Sequence, residues 1–180
     1  GAERANATKS AIIAAGPLPS PALSSAVADL TGEDHLFFHD AIAPIIDAES
    51  IDIKAAFFAS RYGKGSGDDY LNCPMGKEQY RGFWQALVHA EVTPLHDFEQ
   101  EKHFAACMPV ESMARYGEDA LRFGPLKPVG LELPSGGEAY AVVQLRRENR
   151  EGSAYNMVGF QTRLRQWEQR RVFQMIPGLK

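Results

Sequence analysis

Apolar residues recur at helical spacing most clearly over 76–91, where Tyr80, Phe83, Trp84, Leu87 and Val88 fall at i, i+3, i+4, i+7 and i+8. That stripe predicts an amphipathic helix laid against a core. Shorter apolar runs read as strands: 11–15, closed by Gly16-Pro17, the β-rich stretch from Phe37 to Ile46, and 55–59. Residues 140–147 alternate, Val143 and Leu145 against Val142 and Gln144. They are expected to pair with 155–160 across 148–152, as a hairpin with a charged tip. Other helices are predicted from their ends. Ser20 is an N-cap and Pro21 a first helical residue for a helix through Leu30, stopped near Gly32. Pro109 opens a short helix over 110–116, with Glu111 in its first turn and Gly117 just past its end. Thr162 caps a final helix with apolar positions Leu164, Trp167, Val172, Phe173 and Ile176, ended by Pro177-Gly178. The pattern defines an α+β fold, a mainly antiparallel sheet with helices on one face.

Both cysteines stand just ahead of a predicted helix start, Cys73 before 76–91 and Cys107 before 110–116. Free N–H groups at a helix start favour a thiolate, and a thiolate is a nucleophile at neutral pH. Lys102 and His103 add positive charge upstream of Cys107. The other reading of either cysteine is a small buried apolar residue. On local features the two compete evenly. The glycine-rich loop 61–69 lacks the spacing of a P-loop and reads as a mobile loop, with a lid or RNA contact as the functional reading. His35 and His39, on a strand, would stand roughly 13 Å apart, too far for one metal. Pro94 interrupts any common helix through His89, His96 and His103, so no metal site is predicted.

At 180 residues, 44% hydrophobic and 23% charged, the chain can bury one good core. Two cysteines make no disulfide framework. No run of 18 apolar residues and no signal peptide occur, which points to a cytoplasmic protein without a membrane span. The opening Gly-Ala, without Met, reads as a segment of something longer. Net charge is −4, yet its distribution is uneven. Residues 1–143 carry 11 Lys+Arg against 20 Asp+Glu, and 144–180 carry 8 against 3. Such asymmetry points to polyanion contact, although a solvated helix face and an exposed hairpin tip account for it equally well. The loop 117–131 carries Arg122 and Lys127 between glycines and prolines, two cations presented to one side, either as an anion site or in surface salt bridges.

The segments FAACMPVESMARYG (104–117) and LRFGPLKPVGL (121–131) resemble the TrmFO family, folate- and FAD-dependent tRNA (uracil-5-)-methyltransferases. AIIAAGPLPSPAL, FASRYGKG, YLNCPMGKEQY, PLHDFEQEKHF, YAVVQL, YNMVGFQTRL and RVFQMIPGL extend the likeness, in the family's order, over nearly the whole chain. Ala105-Ala106 stand where the family has Glu-Gly, Tyr116 where a basic residue is usual, and Leu126 in place of Met. None of these departures removes a reactive group.

The resemblance implies the insertion domain of an FAD-binding, Rossmann-type protein. Residues 1–32 would be an edge strand and helix of the FAD-binding domain, 33–176 the insertion domain facing tRNA and folate, and 177–180 the start of the return. It implies synthesis of 5-methyluridine in the tRNA T-loop, with methylenetetrahydrofolate as carbon donor and FAD reduced by NAD(P)H. It breaks the tie between the cysteines in favour of Cys107, as nucleophile or general acid. His96, Arg122 and Lys127 are the expected folate contacts. Arg146, Arg147, Arg150, Arg163 and Arg165 are the expected contacts to the tRNA T-arm. The family's flavin-binding GxGxxG lies before the point where this chain begins. The isolated chain is therefore expected to be inactive without the missing FAD-binding domain. The alternative is a non-catalytic tRNA- or folate-binding module.

Overall fold

A computed structural model describes residues 12–14, 20–32, 42–94 and 108–180, in two compact units, Gly1–Asp40 and Ala41–Lys180. In the first, helix α1 (Pro21–Thr31) forms as its ends predict. The Ser20 hydroxyl accepts from the Leu23 N–H, and Gly32 closes the last turn at φ 71°. Residues 12–14 make no strand, contrary to the reading of 11–15. A strand exists only with a ladder partner, and the apolar run carries no information about one.

The second unit is built on a five-stranded sheet, antiparallel at every pairing, in the order β1-β5-β4-β3-β2. The strands are β1 (Ile45–Asp47), β2 (Phe57–Ala59), β3 (Tyr70–Met75), β4 (Ala141–Arg147) and β5 (Ala154–Met157). The predicted hairpin forms with Leu145 opposite Met157 and Arg147 opposite Tyr155. β1 is shorter than the predicted run from Phe37, whose residues 37–41 lie outside the described ones. Ile53–Ala55 coil into a single 3-10 turn capped by Asp52, which trims the predicted 55–59 strand to β2.

Alternation sends Leu71, Cys73 and Met75 of β3, Ala141, Val143 and Leu145 of β4, and Tyr155 and Met157 of β5 to one face. Helices α2 (Lys77–Val88), α3 (Val110–Ala114) and α5 (Gln166–Phe173) share one core with those residues. The stripe on α2 is buried at Tyr80, Phe83 and Leu87. Phe160 joins the helices, its ring 6.4 Å from that of Phe83 and 5.7 Å from that of Phe173. Each fully buried side chain of this size contributes about 1.5–3 kcal/mol.

Four expectations are corrected. Cys73 precedes α2 but does not sit at its N-terminus: it lies inside β3, fully buried in the core, with Pro74 following it in the same strand. Pro74 is tolerated because Val142, its partner, donates its N–H to Leu126, so the pair exchanges no ladder bond. On its other side β2 has already ended at Phe57, opposite Asn72. β4 is buried on both faces from Ala141 to Leu145, not alternately, because 124–131 crosses beside it where β5 has ended. Thr162 is no cap. Its buried hydroxyl donates to Glu111 and accepts from the Leu164 N–H, and Arg165 stands at the start of α5. Trp167 is 53% exposed. It precedes Val172 by five residues, about 140° round the helix, so the two cannot share a face.

Candidate functional site

Among the described residues of this unit no α-helix shares the second face of the sheet, and two rows of side chains there carry most of its polar groups. One row runs Phe57, Asn72, Gln144 across β2, β3 and β4. Asn72 donates to the carbonyls of Phe57, Ala59 and Tyr70, and accepts from the Gln144 amide at 2.9 Å. Gln144 in turn accepts from Arg61 Nε at 2.9 Å, while Arg61 Nη1 donates to the Val129 carbonyl. This chain of bonds ties the sheet to loops 60–69 and 128–131. The second row runs Ala59, Tyr70, Arg146, Asn156, Ile45, one residue from each strand.

Loop 60–69 is closed on itself. Ser60 donates to Asp69 at 2.6 Å, and the Ser66 hydroxyl and N–H also reach Asp69. Those bonds hold the Asp69 carboxyl below the usual carboxylate range, Ser60 first and Ser66 next. Gly65 takes φ 75°, where a side chain is strained, and a Cβ there would meet the Asp69 carboxylate at 2.1 Å. Tyr62 sits at φ 57°, the one non-glycine residue with positive φ among those described, and donates its N–H to Gly130 O. Its ring lies on Gly130 so closely that a Cβ would fall 2.7 Å from it. The expected mobile loop is thus hydrogen-bonded at both ends, which its composition does not reveal.

A cleft of about 640 Å³ opens between this loop and 130–138, lined by Ala59, Tyr62, Gly67, Gly130, Glu132 and Glu138. A second, of about 490 Å³, lies between 54–57, Pro74–Gly76 and 133–140. Among the described residues no cluster of His, Cys, Asp and Glu could hold a metal ion, and no helix is long and apolar enough to cross a membrane.

Cys107 and His96 lie outside the described residues, as do Lys102 and His103. Two positions after Cys107, Pro109 caps α3, which has five residues. Its Val110 N–H is already donated to the Gln161 carbonyl at 2.7 Å. Glu111, in the first turn, is buried and accepts from Thr162 Oγ1 and Arg163 N. The positive end of α3 is therefore partly spent inside the protein. The competitor, Cys73, has no opening at all, and burial pushes its thiol up to about 12.

The loop 117–131 contains a one-turn helix, α4 (Ala120–Phe123), that holds Arg122. Arg122 lies 3.7 Å over the Tyr140 ring, donates to the Tyr140 carbonyl, and pairs with Asp119 at 2.7 Å. Lys127 is exposed. Arg146, Arg147 and Arg150 are exposed around the hairpin tip, with Arg147 placed 5.4 Å over the Phe58 ring. Arg163 and Arg165 lie beyond the other end of β5, tied to the Thr93 carbonyl and to Glu91 respectively. The five arginines thus make two groups. Sequence reasoning did not single out Tyr70, Asn72 or Asn156, and met Arg61 only as part of loop 61–69 and Gln144 only as a position in the alternation of 140–147. The signal was Asn72 and Gln144, each a lone amide within an apolar strand.

The architecture of the second unit is a two-layer α+β domain with one face of its sheet packed by helices and the other carrying Tyr70, Asn72, Gln144, Arg146 and Asn156 among apolar side chains. A family model described as "Glucose inhibited division protein A" (GIDA) matches residues 3–180, and the chain belongs to that family. It is 60% identical over 175 residues to a Heliobacterium modesticaldum protein named methylenetetrahydrofolate--tRNA-(uracil-5-)-methyltransferase TrmFO, covering 97% of this chain and 40% of that one. Proteins of the same name from Natranaerobius thermophilus and Geobacter sulfurreducens are each 59% identical, over 97% and 94% of this chain. The chain spans about 40% of the length of these relatives.

Proposed function

We propose that the chain is the substrate-facing part of an enzyme that methylates C5 of a uridine in the tRNA T-loop. One observation carries the reading: 60% identity over 97% of the chain to a protein whose name gives methylenetetrahydrofolate, tRNA and uracil C5. In this reading 1–32 belong to the FAD-binding domain, 33–176 are inserted in it, and 177–180 begin the return. The enzyme works in the cytoplasm, and the remainder of the parent protein is its obligatory partner.

The described residues do not fit FAD. Their sheet is antiparallel throughout and offers no parallel strand–helix crossover for a dinucleotide. Turning a methylene carbon into a methyl group needs two electrons, and the family's FAD, recharged by NAD(P)H, is their source outside these residues. Folate is met only in part. Lys127 is open, Arg122 is committed to Asp119 and Tyr140, and His96 is the third expected contact.

The chain's own chemistry centres on Cys107. Uracil C5 is a poor nucleophile until a thiolate bonds to C6 and the C5–C6 π electrons move toward the C4 oxygen. Cys107 supplies that thiolate, or else acts as the general acid beside a second cysteine on the flavin domain. The uridine must leave its stack to be reached. Arg146, Arg147 and Arg150, with Arg163 and Arg165, hold phosphates of the T-arm. Expressing the chain within its complete parent and assaying methyl transfer to a T-arm transcript tests this. Cys107→Ala is expected to abolish product and Cys73→Ala to retain it; full activity of Cys107→Ala would overturn the assignment. The misfit to FAD favours a second reading, a tRNA- or folate-binding module, for which a colourless protein that shifts T-arm RNA would speak.

A further inference from the structure

The two rows on the helix-free face differ in how their polar groups are used. The side-chain amides of Asn72 and Gln144 are engaged with each other, with three backbone carbonyls and with Arg61. In the neighbouring row Tyr70, Arg146 and Asn156 stand side by side on β3, β4 and β5. Cross-strand neighbours have Cβ atoms about 4.5–5.5 Å apart, so a phenol, a guanidinium and a carboxamide occupy a strip about 10 Å long. None of these three side chains has a hydrogen-bonding or ionic partner among the described residues. Arg146 is exposed and the other two are half-buried. The nearby acids are used elsewhere: Asp69 by Ser60 and Ser66, Asp47 by the Glu49 N–H.

Arg61 adds to the same face, over Gln144. It is half-buried, and its partners are two neutral oxygens, with no carboxylate among the described residues. Burial lowers its pKa from the ordinary arginine value, the mark of a cation that its surroundings do not fully compensate.

We infer that Tyr70, Arg146 and Asn156 form a platform for one unstacked nucleotide of an RNA. The base lies on the Tyr70 ring, the phosphate on Arg146, and Asn156 bonds to the base edge or ribose. Arg61 strengthens the positive field from the next row. The inference rests on the proposed tRNA reading. An aromatic ring beside an arginine on an open sheet suits a splayed nucleotide, whose π face is free, and not a duplex, whose faces are stacked.

Fluorescence anisotropy with the 180-residue chain tests it, using a labelled T-arm hairpin RNA and a fully paired RNA of equal length at several salt concentrations. The hairpin is expected to bind more tightly than the duplex. Tyr70→Leu should weaken hairpin binding about tenfold with its salt slope unchanged, since stacking releases no counterions. Arg146→Gln should reduce the slope by about one. Should Tyr70→Leu fail to fold by circular dichroism, Asn156→Ala carries the test, with roughly fivefold weaker binding expected. Wild-type affinity in all three variants, with Arg150→Glu still weakening binding, would overturn the platform and leave the tRNA reading standing. Absence of any RNA binding by the wild type would remove both.

Discussion

Cys73 and Asn72 are adjacent in the chain and meet opposite environments. Cys73 faces α2, α3 and α5 among hydrocarbon side chains, where its thiol has nothing to react with. Asn72, one residue earlier, points to the helix-free face and satisfies four hydrogen bonds. A strand's period of two divides labour between the faces: one supplies stability by burial, the other presents polar groups on a scaffold that burial has made rigid. The comparison also teaches where activity can be changed cheaply. Arg146 and Tyr70 touch no core side chain across the sheet, so their replacement leaves the covered face alone.

That contrast can be broken by mutation. Phe83→Ala, on the covered face, is expected to cost about 3–5 kcal/mol in urea unfolding, because the ring leaves a cavity beside Phe160. A loss no larger than that of an exposed residue would mean the helices are not packed as described. Gln144→Leu should cost less, about 1–3 kcal/mol, since it strands Asn72 Oδ1 and Arg61 Nε. It should also release loop 60–69, read as faster amide exchange there, whereas Phe83→Ala lowers protection across the whole unit. Glu111→Ala should cost a similar amount by leaving Thr162 and the Arg163 N–H unsatisfied.

The smallest effect is electrostatic. Hydrogen bonds from Ser60 and then Ser66 lower the folded pKa of Asp69, so its contribution is present above the unfolded value and is lost as pH falls through the folded one. The stability gap between wild type and Asp69→Asn should therefore narrow as pH drops below about 4. A gap unchanged down to strong acid would mean that the loop is not closed through this carboxylate.

Much of this was legible in advance, for identifiable reasons. The α2 stripe, the Ser20-Pro21 start of α1, the hairpin and the helices-on-one-face layout follow from local period and capping, which neighbours rarely override. Misreadings arose where a distant segment decides. Thr162 resembles a cap locally, but Glu111, 51 residues away, claims its hydroxyl. Cys73-Pro74 does lead into α2, yet β4 takes it into a buried ladder, which tolerates Pro74 because Val142 turns its N–H to Leu126. Trp167 is apolar and still faces out, while Glu168 is buried beside it, accepting from the Glu91 N–H and Arg171. The arginine cluster was visible only as composition. Its division between the hairpin tip and the Thr93–Glu91 side depends on which way β5 runs. The Tyr70–Arg146–Asn156 row was not legible, because register across three strands has no signature in any one of them.

The assignment of the reactive thiol carries the rest, and alkylation of the native chain with iodoacetamide, followed by peptide mass spectrometry, tests it most directly. Cys107 should be modified well below pH 8. Cys73, whose thiol burial pushes up to about 12, should stay unmodified until the chain is unfolded. Equal labelling of the two, or labelling of Cys107 only at the rate of an ordinary thiol, would contradict the account.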